Sequence, residues 1–285
     1  MGQRADVASC STGSIRPAAF DPIHPHTTAH MRASRDDGHN AQMGYELTDL
    51  LRVGTLEVDD GHRLWWSEAG NPAGDPVVLL HGGPGSGSSP SHRRLFDPAR
   101  YRIIQFDQRN SGKSLPYAGE VCVDLATNTT QHLIRDIERL RVELGIDRWL
   151  VWGGSWGTTL GLAYAQAHPD SVAGLVLASV VSTSSRDVEW VTRTVGRLFP
   201  RQWKAFRDHL PLDRRDGNLA HAYNDLLLDP DPAIHVPAAR AWCQWEDTHV
   251  SLVPGHTPTP RYEDPGFRLC VARIVTHYWA HGALL

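Results

Sequence analysis

Between residues 50 and 181 the chain alternates short apolar runs with amphipathic stretches. Arg52 to Val58 and Arg63 to Glu68 flank Asp59-Asp60-Gly61, a turn signal, and predict a hairpin. Val77 to Leu80, Arg102 to Phe106, Trp149 to Trp152 and Leu175 to Val181 are nearly continuous in apolar residues, the pattern of strands buried on both faces of a parallel sheet. Between them, Leu133, Ile137, Leu140 and Leu144 recur at helical spacing, with Asn128, Thr129 or Thr130 available as the cap and Gly145 as the stop. An antiparallel start followed by strands alternating with helices predicts an α/β fold. Beyond Thr183 the pattern changes: Trp190 to Leu210 and Pro237 to Trp245 read as amphipathic helices, and no further β run occurs before Leu285. The tryptophans of that region, Trp190, Trp203, Trp242 and Trp245, are expected in the core of a small helical layer.

The reading divides the chain into an extension over 1–42, an α/β core over 43–182 and a helical cap over 183–285. The first segment is rich in Ser, Thr, His, Arg and Pro, lacks periodicity, and has no apolar run long enough for a signal peptide or membrane span. It is expected to be disordered, with His24, His26 and His30 solvated rather than metal-binding, and a translation start at Met43 is consistent with it. Charge and cysteine content narrow the function classes. A net charge of −4 with scattered basic residues excludes the clustered positive surface that nucleic-acid binding needs. Cys10, Cys122, Cys243 and Cys270 form no CxxC pair, which points to a reducing, cytoplasmic setting.

The chemistry is carried by Gly153-Gly154-Ser155-Trp156-Gly157, a Gly-x-Ser-x-Gly run between an apolar strand and a helical pattern with Leu160, Ala163, Tyr164 and Ala167 on one face. Such a turn lifts a serine hydroxyl clear of the sheet, and small residues at 153 and 157 let strand and helix approach closely. Ser155 is the candidate nucleophile, and the helix amino-terminus behind it favours developing negative charge. Upstream, the run ending at Leu80 opens into His81-Gly82-Gly83-Pro84-Gly85, whose uncovered N–H groups supply a second oxyanion donor. The expected donors are Trp156 and Gly83, with Gly82 in reserve. Two rival motifs fail. Ser111-Gly112-Lys113-Ser114 would need a glycine at Asp107 to complete a P-loop, and Pro90 occupies the third glycine position of the dinucleotide pattern begun by Gly85 and Gly87. No nucleotide cofactor and no metal is expected.

These motifs, together with Phe106-Asp107-Gln108-Arg109, Asp136-Ile137-Glu138-Arg139-Leu140-Arg141, Arg197-Leu198-Phe199-Pro200, Ala241-Trp242-Cys243-Gln244-Trp245-Glu246 and Ala272-Arg273-Ile274 with His277-Tyr278, resemble the proline iminopeptidases over roughly residues 50 to 285. The resemblance implies an α/β-hydrolase fold with a helical cap after the sixth strand, and a peptide substrate with a free amino-terminus. It also implies attack by Ser155 and an amine-binding role for Glu246. Asp107 and Arg109 belong, by the same resemblance, to a structural turn near the site.

Three departures stand against it. Val275 follows Ala-Arg-Ile where the family carries a second amine-binding glutamate, and Ser179 to Val195 diverges from the family pattern. The chain also reaches Leu285 without the strand-borne aspartate and histidine that follow the serine in this fold, so the fold is expected to be incomplete and Ser155 unactivated. His209, His221, His249, His256, His277 and His281 lie downstream, with Asp264 ahead of His277, but none follows a β run. The strand at Leu175 to Val181 would then be an open apolar edge, prone to aggregation. Beside the aminopeptidase reading stand two alternatives: a non-catalytic fragment or binding module, and an esterase or amidase for small acyl groups.

Overall fold

The computed structural model describes residues 44–252 and 255–285. The expected extension over 1–42, with Cys10, the three histidines and Met43, lies outside the described residues. Six strands form one sheet in the order β1-β2-β4-β3-β5-β6. The predicted hairpin is β1 (Leu50–Glu57) against β2 (Arg63–Gly70), antiparallel, with Thr55 opposite Trp65. Next along the chain come β3 (Asp75–Leu80), β4 (Tyr101–Phe106), β5 (Trp149–Gly154) and β6 (Val172–Ala178). These four run parallel to one another, and β4 joins them to β2 in antiparallel pairing.

The apolar runs are explained by burial on two faces. Val78 and Leu80 of β3, Ile104 and Phe106 of β4 and Val151 of β5 point into the larger core with Leu133, Ile137 and Leu140. Their neighbours Val77, Leu79, Ile103 and Trp152 point the other way, against Phe96. A strand whose successive side chains all leave water cannot alternate polar with apolar. Two of the helices facing the larger core are α1 (Thr130–Glu143) and α2 (Trp156–Ala167). Of the three possible caps, Thr129 is the one used: its Oγ1 accepts the His132 N–H at 3.4 Å. Gly145, at φ +62°, follows the helix in the left-handed region that glycine enters freely.

After β6 the described chain is helical: α3 (Ser185–Thr192), α4 (Pro200–Asp208), α5 (Leu219–Leu228), α6 (Pro232–Val250) and α7 (Pro265–Ala280). Three expectations need correction here. The sixth strand spans Val172–Ala178 and not Leu175 to Val181, because Ser179 takes φ 56° and turns the chain away. The Val181 carbonyl then accepts Thr158 Oγ1 and Thr159 Oγ1 of α2 instead of a sheet partner. The run from Trp190 to Leu210 is two helices joined by a 3-10 turn, not one, and Trp190 is 56% exposed. Finally, α6 starts at Pro232, capped by Asp231, so Pro237 lies inside the helix and does not open it. Trp242 and Trp245 do reach the helical core, with Phe206 and Tyr223 packed against Trp242 at ring centroid distances of 5.7 and 5.3 Å.

Candidate active site

One residue, Ser155, carries the chain from β5 into α2. Its φ of 53° and ψ of −121° are unfavourable for an L-residue, by roughly 1–3 kcal/mol, and persist only where surroundings enforce them. The enforcement is steric. A Cβ at Gly153 would come within 2.1 Å of Gly157 O, and one at Gly157 within 2.2 Å of Leu80 O. The Ser155 N–H donates to Ala178 O at 3.0 Å, so the bend is pinned to β6, while its carbonyl accepts the Thr158 N–H at 2.8 Å.

The loop after β3 passes close beside the hydroxyl: a Cβ at Gly82 would lie 3.2 Å from Ser155 Cβ and 3.8 Å from Oγ. Gly83 adopts φ +109°, open to glycine and strained for other residues. Among the described residues neither the Gly83 N–H nor the Trp156 N–H donates to another group, and both residues border the cavity that contains Ser155. Behind the loop, Gln108 N–H donates to His81 Nε2 at 3.0 Å, which leaves Nδ1 as the protonated nitrogen facing Gly82 O at 3.0 Å. Both ring nitrogens of His81 are therefore engaged, and burial lowers its pKa and keeps it neutral.

Two cavities meet at Ser155. The smaller, about 60 Å³, has apolar walls from Trp156, Val188, Val191 and Trp279 and a single acid, Asp187. Asp187 accepts the Ser182 hydroxyl at 2.6 Å and the Ser182 N–H at 3.0 Å, which hold its carboxyl below the usual range and ionised. The larger, about 470 Å³, is bordered by Gly82, Gly83, Trp152, His92 and Arg261.

A serine on a strained strand-to-helix bend, sharing a cavity with one free N–H of a neighbouring loop and one of the following helix, fits the arrangement of an acyl-transfer site. Comparison with known proteins agrees. The family model described as alpha/beta hydrolase fold matches residues 75–223. The chain is 53% identical over 232 residues to the "Probable proline iminopeptidase" of Streptomyces coelicolor, covering 81% of this chain and 71% of that one. It is 41% identical over 281 residues to the "Proline iminopeptidase" of Arabidopsis thaliana, covering 98% of this chain and 70% of that one. The chain belongs to the proline iminopeptidase family. Its fold is that of the α/β hydrolases, and among solved structures VinJ matches it with a TM-score of 0.50 at 25% identity, over 81% of this chain and 71% of that one.

Within this proline iminopeptidase-family chain, Glu246 lies in α6 and lines neither of the two cavities at Ser155. Its Oε1 accepts Trp242 Nε1–H at 2.9 Å and its Oε2 the Tyr262 hydroxyl at 2.7 Å, and burial raises its carboxyl above the ordinary value. Val275 is wholly buried in the helical core. Among the described residues no imidazole is hydrogen-bonded to Ser155 Oγ. His277 Nε2 lies 3.0 Å from Asn128 O, His281 Nδ1 lies 2.7 Å from His277 O, and His221 pairs with Asp225 at 3.4 Å. Asp264 caps α7 by accepting the Phe267 N–H at 2.9 Å. Asp107 is a turn residue, its Oδ1 accepting Ser88 N–H and Oγ–H and its Oδ2 the Lys113 N–H.

Four residues of the site had no sequence signal of their own: Asp187, Trp279, His92 and Arg261. Asp187 falls in the stretch that diverges from the family pattern, which is the one hint available. His92 packs its ring 5.0 Å from Trp152, and burial lowers its pKa, so it faces the larger cavity as a neutral imidazole.

Proposed function

We propose that this chain is built to release an amino-terminal proline from peptides by acyl transfer to Ser155. Ser155 Oγ attacks the scissile carbonyl carbon, and Trp156 and Gly83 N–H groups hold the oxyanion. The C–N bond breaks, the amine leaves carrying a proton, and water hydrolyses the prolyl ester. The observation that supports this reading is the pair of unbonded N–H groups bordering one small apolar cavity with the hydroxyl. A compact, apolar pyrrolidine ring suits such walls. Its charged amine needs a carboxylate: Glu246 is the residue given by the family resemblance, and Asp187 is the ionised acid bordering the cavity itself.

Among the described residues no imidazole is bonded to Ser155 Oγ, and a serine hydroxyl without a neighbouring base stays protonated at neutral pH and acylates slowly. Sites without triad members retain roughly 10³ to 10⁴-fold catalysis over water from the oxyanion hole and binding. A fluorophosphonate probe tests the assignment: slow labelling that disappears in Ser155→Ala is expected, and no labelling at all would favour a non-catalytic role. Cleavage of a p-nitrophenyl ester without cleavage of a Pro-arylamide would reject the aminopeptidase reading in favour of an esterase.

A further inference from the structure

Arg261 stands in a 3-10 turn, Pro260–Glu263, ahead of α7. It borders the 470 Å³ cavity that contains Ser155 and also a neighbouring cavity of about 520 Å³, a double position that among the described residues it shares with Gly87 alone. The guanidinium lies 3.8 Å from the centroid of the Phe267 ring, and among the described residues no carboxylate comes within ion-pair distance of it. The two acids of the neighbouring cavity are held by backbone N–H groups and not by Arg261, Asp107 by Ser88 and Lys113 and Asp264 by Phe267. Two further cations border that cavity: Lys113, its Nζ 4.3 Å from the Trp65 ring centroid, and Arg93, which donates to the neutral Gln105 Oε1 at 3.1 Å. The surface leading away from Ser155 on this side thus carries three cations, Arg261, Lys113 and Arg93, against two carboxylates, Asp107 and Asp264, while the small cavity on the other side holds the ionised Asp187.

We propose that Arg261 receives the terminal carboxylate of the leaving peptide, so that this site prefers free di- and tripeptides to their amidated counterparts. The inference rests on the acyl-transfer reading of Ser155 and adds the far end of the substrate to it. Acid, serine and cation then follow the polarity of a zwitterionic peptide, ammonium at one end and carboxylate at the other. Reach is consistent, since an extended chain advances at most ~3.6 Å per residue and a 470 Å³ cavity accommodates one or two residues past the scissile bond. Arginine suits the task because its planar fork meets a carboxylate with two parallel N–H donors.

The test is a titration of the Ser155→Ala chain with Pro-Gly, Pro-Gly-Gly and their carboxamides, followed by NMR or calorimetry. The free acids should bind about five- to tenfold tighter than the amides, as a partly exposed charge-assisted pair allows. The preference should shrink in about 0.5 M salt, vanish in Arg261→Gln and partly survive in Arg261→Lys. Equal binding of acid and amide, a preference that persists in Arg261→Gln, or no binding of any of the four peptides would overturn the proposal. Fluorophosphonate labelling of the parent chain reads the underlying chemistry separately. Labelling without acid preference removes the carboxylate site alone, and acid preference without labelling removes acyl transfer and leaves the carboxylate site standing.

Discussion

The Trp156 indole N–H donates to Gln108 Oε1 at 3.1 Å, and the side-chain N–H of the same Gln108 donates to His81 O at 2.9 Å. One buried amide thus joins the residue after Ser155 to the first residue of the glycine-rich loop that follows β3. Replacing it with an apolar residue leaves the indole N–H and the His81 carbonyl unpaired, each costing about 1–3 kcal/mol. Gln108→Leu is expected to lower thermal stability and to slow fluorophosphonate labelling of Ser155 at least about tenfold, since an oxyanion donor contributes roughly that or more. Unchanged labelling in a destabilised variant would show that the amide serves stability only.

Arg109 and Asp136 form a bidentate pair with side chains at 0% and 2% exposure, Nε to Oδ2 at 2.7 Å and Nη2 to Oδ1 at 2.9 Å. Removing Asp136 leaves the buried Arg109 charge with only the half-exposed Asp60, at 3.2 Å, as its counter-charge, so Asp136→Ala should lose up to about 3–5 kcal/mol in urea unfolding. The apolar double variant Arg109→Met with Asp136→Leu should recover part of that loss, because the stranded charge is gone. A loss under about 1 kcal/mol for Asp136→Ala would mean that water reaches the guanidinium after the substitution.

Acid stability should depend on Glu138. Hydrogen bonds from Arg141 first, and then from the Tyr164 hydroxyl, bring its carboxyl down from the usual range to about 2. A carboxyl depressed in the folded state contributes stability that is present above its unfolded pKa near 4.5 and is lost as the pH falls towards 2. Melting temperature followed between those limits should fall in the parent and fall less steeply in Glu138→Gln. Parallel curves would assign the acid limb to other carboxylates.

What could be read from sequence was local. The bend at Ser155 announces itself because two close approaches, at Gly153 and Gly157, each require a missing side chain within a few residues of the nucleophile. The strand runs were legible because burial on both faces leaves no polar alternation to confuse them. Placement of β4 between β2 and β3 was not legible, since nothing in either run encodes its neighbour. Val180 and Val181 were drawn into the sixth strand by their apolar, β-branched character, but the positive φ of Ser179 overrides propensity there. Asp187 and Arg261 meet Ser155 only through tertiary packing, so their roles carry no spacing signal.

β6 is a sheet edge among the described residues, hydrogen-bonded to β5 alone, and Val176 on it is 44% exposed. Such an edge templates pairing with further chains. The parent should therefore show concentration-dependent association by light scattering, and Val176→Lys should reduce it. A parent that stays monodisperse at high concentration would remove the edge as a liability.

Helix α7 sends Cys270, Ile274 and Tyr278 into the sheet-side core and Val271, Ala272 and Val275 into the helical one. From the first of these faces Ile274 lies against the glycine-rich loop after β3, where a Cβ on Gly85 would come within 3.0 Å of its own. Arg273 meanwhile fastens the helix to the carbonyls of Ala118, Glu120 and Val123. A helix owned jointly by two cores behaves as a keel: swapping or reshaping the small helices beside it leaves the loop after β3 undisturbed, whereas a shift of the keel carries that loop with it. Diversification of substrate preference in this architecture is accordingly free to proceed through α3 to α6, with α7 the element that must stay where it is.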